Sequence, residues 1–106
     1  MFVRVARFEG ADPSGIDAEI SRMREQLAAA KRGETEGMPP GLMKIKRVLT
    51  LVDRQTGTAL DLNFCETEDD LRAADEALNS MSPLSDSSGH RVSVEMFEVG
   101  VDETLG

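Results

Sequence analysis

The apolar residues of this 106-residue chain switch between two spacings along its length. One is the two-residue period of a β-strand, and the other is the 3.6-residue period of an α-helix. Read from the N-terminus, the segments predict strand, helix, strand, strand, helix and strand. This order leaves few possible folds, because every strand must pair and every helix must bury one face against the sheet.

The strands are predicted where residues alternate or are rich in β-branched and aromatic types. These segments are residues 2–8, 42–52, 58–65 and 91–99. Residues 53–57 form a polar turn that ends on a glycine suited to left-handed backbone, so 42–65 is a predicted hairpin. Proline and glycine predict loops at 34–41 and 82–89, and the polar residues 100–106 predict a loose tail.

The two helices are predicted from apolar stripes and capping residues. Ser14 is the expected N-cap of the first helix, with Asp17 as a near capping-box partner and Gly33 as its stop. Its stripe contains Ile16, Ile20, Met23, Leu27 and Ala30. Thr67 is the expected N-cap of the second helix, with Asp70 as its capping-box partner. The stripe of that helix contains Leu71, Ala74, Leu78 and Met81.

The order of these elements predicts an α+β, ferredoxin-like βαββαβ fold with a four-stranded antiparallel sheet and two helices on one face. We expect a single domain over residues 1–106. Strands 2–8 and 42–52 carry apolar residues on both sides, although two helices can cover only one face. We therefore expect a homodimer packed sheet to sheet, with an exposed apolar face on a monomer as the alternative.

Three stretches resemble the dimeric α/β barrel superfamily, in particular its antibiotic-biosynthesis-monooxygenase-like domains. They are residues 3–8, 62–74 and 91–99, within a similarity that covers residues 2–99. The resemblance implies a ferredoxin-like protomer that dimerises through its sheets and has a pocket between sheet and helices. Oxygenases of this family act on polycyclic aromatic substrates without a cofactor, and another branch binds and degrades haem.

Composition limits what this resemblance implies. The chain has no Trp or Tyr, and its only histidine, His90, precedes the last predicted strand. Both branches of the family tend to use Trp, Tyr, Asn and His in the pocket, so no catalytic set carries over. We expect no haem and no other cofactor.

Charge and cysteine content exclude several classes of partner. The net charge of −8 repels phosphate backbones, and the chain lacks Trp and Tyr to stack on bases, so no nucleic-acid partner is expected. One Cys and one His cannot complete a structural zinc site, and helix capping accounts for the acidic run 66–70, so no metal is expected. We predict a cytoplasmic protein with no membrane partner, because neither a signal peptide nor a long apolar stretch is visible.

Arg47 is the first candidate ligand-binding residue. If strand 42–52 alternates, this cation shares its face with Met43, Ile45, Leu49 and Leu51. Such a charge must pair with a carboxylate, turn to solvent at a bulge, or contact an anionic ligand. Arg4 is expected to pair across strands with Glu95.

Two further residues have two interpretations each, and a third has one. Asn63, with Asp61 on the same strand face, either meets the partner's sheet or lines a cavity and orients a substrate oxygen. His90 is either an exposed loop residue or, as the weak catalytic candidate, a general base. Cys65 is expected to be a small buried side chain without thiolate activation.

These observations leave two functional hypotheses, and the sequence does not establish whether the protein is an enzyme. In the first, the dimer binds or oxidises a small apolar or aromatic molecule in a pocket of about 300–1,000 Å³, with the loop 34–41 as a lid. In the second, it is a non-catalytic regulatory or assembly module. The second hypothesis predicts a filled core and an Arg47 that is paired within the chain.

Overall fold

A computed structural model describes residues 1–81 and 89–106. Its elements follow the predicted order: β1 (Phe2–Glu9), α1 (Pro13–Lys31), a 3₁₀-helix (Pro40–Lys44), β2 (Arg47–Asp53), β3 (Thr58–Cys65), α2 (Glu68–Asn79) and β4 (His90–Glu98). The four strands form one antiparallel sheet in the order β2-β3-β1-β4. This topology confirms the predicted α+β βαββαβ fold.

The predicted strand 42–52 is wrong at its beginning. Residues Pro40–Lys44 form a 3₁₀-helix, and β2 starts only at Arg47. Pro39 and Pro40 fix φ and lack N–H donors, which favours a tight turn over a strand. The short helix also lies so close to α2 that a Cβ on Gly41 would overlap the Ala73 carbonyl oxygen. This part of the predicted loop 34–41 therefore packs against α2.

The N-cap of helix α1 lies two residues earlier than predicted. Asp12, not Ser14, is the N-cap, and Pro13 occupies the first turn. The Asp12 carboxylate accepts hydrogen bonds from Gly15 N at 2.7 Å and from the Ser14 hydroxyl at 2.8 Å. Donation to the charged form, first from the Gly15 amide, lowers the pKa of Asp12. The predicted capping partner Asp17 instead pairs with Arg54 at 2.7 Å.

Helix α2 begins as predicted but is shorter at its C-terminus. The Thr67 hydroxyl accepts a hydrogen bond from Asp70 N at 3.0 Å, which confirms the N-cap. The helix ends at Asn79, so Met81, the last residue of the predicted stripe, lies outside the helix. Most of the predicted loop 82–89 lies outside the described residues.

The strand register divides the sheet into two faces. One face is covered by both helices and carries the even-numbered residues of β1 with the odd-numbered residues of β3. The other, here called the open face, carries twelve residues in three rows across the four strands. They are Arg47, Phe64, Val3 and Phe97 in the first row, Leu49, Leu62, Val5 and Glu95 in the second, and Leu51, Leu60, Arg7 and Ser93 in the third.

Two contacts involve the chain after β4. Val99 N donates to Met1 O at 2.9 Å, beside the start of β1. Asp102 then reaches Arg47 on β2, at the opposite edge of the sheet. The segment therefore crosses from one sheet edge to the other at the first row of the open face.

Candidate functional site

Arg47 is paired within the chain. Its guanidinium lies 5.2 Å from the centre of the Phe64 ring, in cation–π geometry, and 3.5 Å from the Asp102 carboxylate. Of the three alternatives, pairing with a carboxylate is the arrangement observed. The prediction that Met43 and Ile45 share its strand face is wrong, because both precede β2.

The three candidate residues do not come together. Asn63 is buried on the helix-covered face, so the interpretation that it meets a partner's sheet is wrong. Arg47 projects from the open face on the other side. His90 begins β4 opposite Glu9, at the far end of β1, and its exposed imidazole lies beside Gly10. The structure thus places these residues on two faces and at two ends of the sheet.

Arg4 belongs to a buried hydrogen-bond network, and the partner predicted from the sequence, Glu95, is wrong. It pairs in register with Met96 rather than Glu95, because Glu95 lies on the open face. The Arg4 side chain is 3% exposed, and its Nε donates to Asp75 at 2.7 Å. Its Nη2 donates to the Asn79 amide oxygen at 3.0 Å. Both acceptors lie on α2, so this network attaches α2 to β1.

Arg91 extends the same network to the edge strand. Its Nη1 donates to the Asn79 amide oxygen at 2.7 Å. Two guanidinium groups, from β1 and β4, therefore share one amide oxygen on α2. This arrangement fixes the position of the helix over two strands, and its partners are satisfied within the chain.

A small cavity lies between α1 and the sheet. Its volume is about 20 Å³, and its lining is mainly apolar. The apolar lining residues are Phe8, Ile16, Ile20, Val52 and Ala59, and the polar ones are Glu19, Thr50 and Asp61. A cavity of this size holds about one water molecule. It is far smaller than the pocket that the ligand-binding hypothesis predicts.

Asp61 faces this cavity, and its pKa is raised. Burial raises the pKa of its carboxyl, and a hydrogen bond from the Thr50 hydroxyl at 3.0 Å partly offsets the effect. Glu19 raises the pKa of Asp61 further, while Arg4 and Arg22 lower it. A carboxyl of this kind beside an apolar cavity is a common feature of binding and catalytic sites.

Sequence reasoning noted Asp61 only as a companion of Asn63. The signal that could have singled it out is the alternation of β3, which places a carboxylate between Ala59 and Asn63 on one face. That alternation does not reveal which face the helices cover. The pKa of Asp61 depends on this choice, because the same carboxylate on the open face would be more hydrated.

Cys65 is a fully buried side chain under α2, packed with Leu71 and Ala74. Burial raises the pKa of its thiol, with a further contribution from Asp70. The neutral thiol is therefore favoured, and a reactive thiolate is disfavoured. This environment confirms the interpretation of Cys65 as a small core residue.

A second, open depression of about 520 Å³ lies at the end of the sheet where β1 leaves it. Its lining includes the exposed ion pair between Arg7 and Glu9, in which Nε and the carboxylate oxygen are 2.8 Å apart. Asp53, Thr56 and Thr58 from the β2–β3 hairpin complete the polar lining. Its side chains are polar and solvated, unlike those around Asp61.

The structure identifies the fold class of this chain. The chain is an α+β protein of βαββαβ topology, consistent with the ferredoxin-like arrangement. No family model, curated protein or solved structure matches it. Within the described residues, no cluster of three or more potential metal ligands is found. Neither described helix is long and apolar enough to cross a bilayer.

Proposed function

We propose that this protein functions as a homodimeric module in which two copies pack their open faces together. The supporting observation is the composition of that face: eight of its twelve residues are Val, Leu or Phe, in adjoining register positions. Both helices lie on the other side of the sheet. Burial of apolar surface is the main driving force for association, so a second sheet is the natural cover.

The size of the open face fits a dimer of modest affinity. Four strands about 4.8 Å apart, with seven residues at about 3.3 Å each, give a footprint of roughly 440 Å² per copy. Side-chain relief makes the accessible area larger than this footprint. Specific interfaces bury about 800 Å² per partner, and weaker complexes bury less than about 600 Å². We therefore expect dissociation in the micromolar range.

The charges on the open face also favour a second copy. Arg47 lies on the β2 edge, and Glu95 lies on the β4 edge. A two-fold axis parallel to the strands would bring the β2 edge of each copy over the β4 edge of the other. Each Arg47, which is already paired with Asp102 of its own chain, would then lie at the same edge of the interface as Glu95 of the second copy.

Sedimentation velocity from 1 to 200 µM tests the dimer. Wild type should move from the 11.5 kDa monomer to a species of twice that mass as concentration rises. Phe97→Glu should shift this transition to at least ten-fold higher concentration, because it places a charge in the interface. Met96→Glu is the matched control: Met96 is 45% exposed and Phe97 50%, on opposite faces of the same strand.

Two results would contradict this proposal. One is a wild-type chain that stays monomeric over the whole concentration range. The other is equal weakening by Phe97→Glu and Met96→Glu, which would place the contact somewhere other than the open face. Far-ultraviolet circular dichroism of each variant checks that the fold is retained.

The interior supports an assembly or regulatory role over catalysis by the single chain. The cavity between α1 and the sheet holds about one water molecule, and Arg47 is paired with Asp102. A cavity this small is expected of a module with a filled core, whereas the Arg47–Asp102 pair lies at the surface, with both side chains more than half exposed. In this role the dimer positions other partners by its symmetry.

One observation favours a second candidate function, the binding or oxidation of a small apolar or aromatic molecule. Asp61 combines burial, a raised pKa and an apolar cavity wall. A ligand larger than water could enter only if α1 moved outward. That movement is feasible because the stripe of α1 is buried at Ile16 but exposed at Leu27, toward the far end of the helix.

A thermal-shift screen against aromatic acids, quinones and haem tests this second function. A compound that binds at the cavity should raise the melting temperature of wild type but not of Asp61→Asn. Arg47→Met and His90→Ala test the other candidates, since loss of the shift in either would assign it a ligand contact. No shift with any compound, at concentrations well above micromolar, would reject ligand binding by these classes.

A further inference from the structure

The segment after β4, residues 99–106 and here called the C-terminal arm, lies across one row of the open face. It leaves β4 with the backbone hydrogen bond from Val99 to Met1 and reaches β2 through the Asp102–Arg47 ion pair. In the row that it crosses, Val3 is only 7% exposed and Phe64 only 8%. Val3 and Phe64 are therefore buried in the same row that contains Arg47, the residue that pairs with the arm.

The arm carries two apolar side chains that its own chain does not cover. Val101 is 83% exposed and Leu105 is 97% exposed. Asp102, between them, turns toward Arg47 on the sheet. The side chains of Val101 and Leu105 are therefore free to contact another molecule while Asp102 is paired with Arg47.

We infer that the C-terminal arm is part of the association surface and presents Val101 and Leu105 to a second copy. This inference rests on the proposed homodimer and extends its interface beyond the sheet. A second copy packed on the open face would contact the arm beside the first row, because Val101 and Leu105 of the arm are exposed. The arm also adds the apolar area that the small footprint of the sheet lacks.

The Arg47–Asp102 ion pair holds the arm in place before association. A segment that is already positioned loses less conformational freedom on binding than a free one. Because the pair is half-exposed, its own contribution is small. Its loss should weaken association by roughly two- to five-fold.

The test compares arm variants by sedimentation velocity, with the same concentration series as above. The double variant Val101→Ser/Leu105→Ser should weaken dimerisation by about ten-fold or more, because each apolar side chain loses its burial. Asp102→Asn should weaken it less. Glu103→Gln is the matched control: it removes the same charge as Asp102→Asn from the next residue, and we expect no weakening.

The outcomes separate this inference from the homodimer itself. If wild type dimerises and the double variant dimerises equally well, the arm is not in the interface and the inference fails while the homodimer stands. Tighter association of the double variant would show the arm to be an obstacle and would also overturn the inference. If wild type does not associate, the homodimer fails. Urea unfolding at 1 µM should give equal midpoints for wild type and the double variant, because both side chains are exposed in the monomer.

Discussion

The two faces of the sheet are stabilised in different ways. The helix-covered face contains polar and charged side chains, and those of Arg4 and Asp61 have partners on neighbouring elements. The open face is richer in large apolar residues, yet Leu51 and Phe97 remain exposed. The face with more polar residues is thus the one that both helices cover, while Val3 and Phe64 are buried on the open face.

This difference shows that burial in a small domain follows connectivity as well as hydrophobicity. Both β–α–β connections place their helices on the same side of the sheet, so only that side is covered within one chain. The polar residues on it are tolerated because hydrogen bonds and ion pairs compensate for lost hydration. On the other side, apolar residues such as Leu51 and Phe97 are covered by neither helix.

The largest expected difference in the effect of a substitution on the free energy of unfolding is between Leu71 under α2 and Leu51 on the open face. Leu71 is 1% exposed, and Leu51 is 46% exposed. Leu71→Ala should lower the free energy of unfolding by about 2–5 kcal/mol through lost contacts and a cavity. Leu51→Ala should cost less than about 1 kcal/mol in the monomer.

Urea denaturation at 1 µM and at 200 µM checks this contrast. The cost of Leu51→Ala should grow with protein concentration if Leu51 is buried by a second copy, because association stabilises the folded state. The cost of Leu71→Ala should stay large at both concentrations. Equal costs at 1 µM would contradict the distinction between the two faces.

The next contrast is between a buried and an exposed arginine of β1. Arg4→Met leaves Asp75 without its guanidinium partner and should destabilise the fold by about 3 kcal/mol. Arg7→Met breaks only the exposed pair with Glu9 and should cost less than about 1 kcal/mol. Thermal and urea unfolding of the two variants measure the difference, and a small effect of Arg4→Met would show that α2 does not depend on this network.

The smallest expected effect on the free energy of unfolding is that of a substitution at Asp61, and it depends on pH. Because its pKa is raised in the folded state, folding takes up a proton between the unfolded and folded pKa values. Stability therefore falls as pH rises through the folded pKa and is higher below it. Asp61→Asn retains an acceptor for Thr50 without the charge, so it should stabilise the protein at pH 7 by about 1 kcal/mol.

This gain should disappear as pH falls below the usual carboxyl range, where Asp61 is neutral in both states. Glu36→Gln, in an exposed loop, is the control and should change stability little. Urea midpoints at several pH values measure both variants. Destabilisation by Asp61→Asn at pH 7 would mean that the charged carboxylate has a partner that compensates for its burial.

Local signals were sufficient for much of the fold. The bounds of β3, residues 58–65, match the prediction because a clean alternation and a glycine turn delimit the strand. Thr67 caps α2 as predicted, since a cap depends on the backbone three residues away. The start of β2 was not predictable in this way, because residues 42–44, predicted as strand, belong to a 3₁₀-helix that packs on α2.

The candidate site was far less predictable. The alternation of β3 correctly grouped Asp61, Asn63 and Cys65, but it could not assign them to the side that the helices cover. The register of β1 and β4 separates Arg4 from Glu95. The partner of Arg4, Asp75, is 71 residues away in the sequence. This pair forms because of where α2 lies on the sheet, and no local sequence pattern predicts that position.

The sequence by itself determined the order of the elements, most of their bounds and the two-sided apolar character of the sheet. Periodicity and capping fix these properties, because they depend on residues within a few positions of one another. Only the tertiary structure decided which face is covered, how Arg4 and Arg47 are paired, and that Asp61 borders a cavity. Those properties arise from contacts between distant segments, where burial and charge depend on the neighbours that the fold supplies.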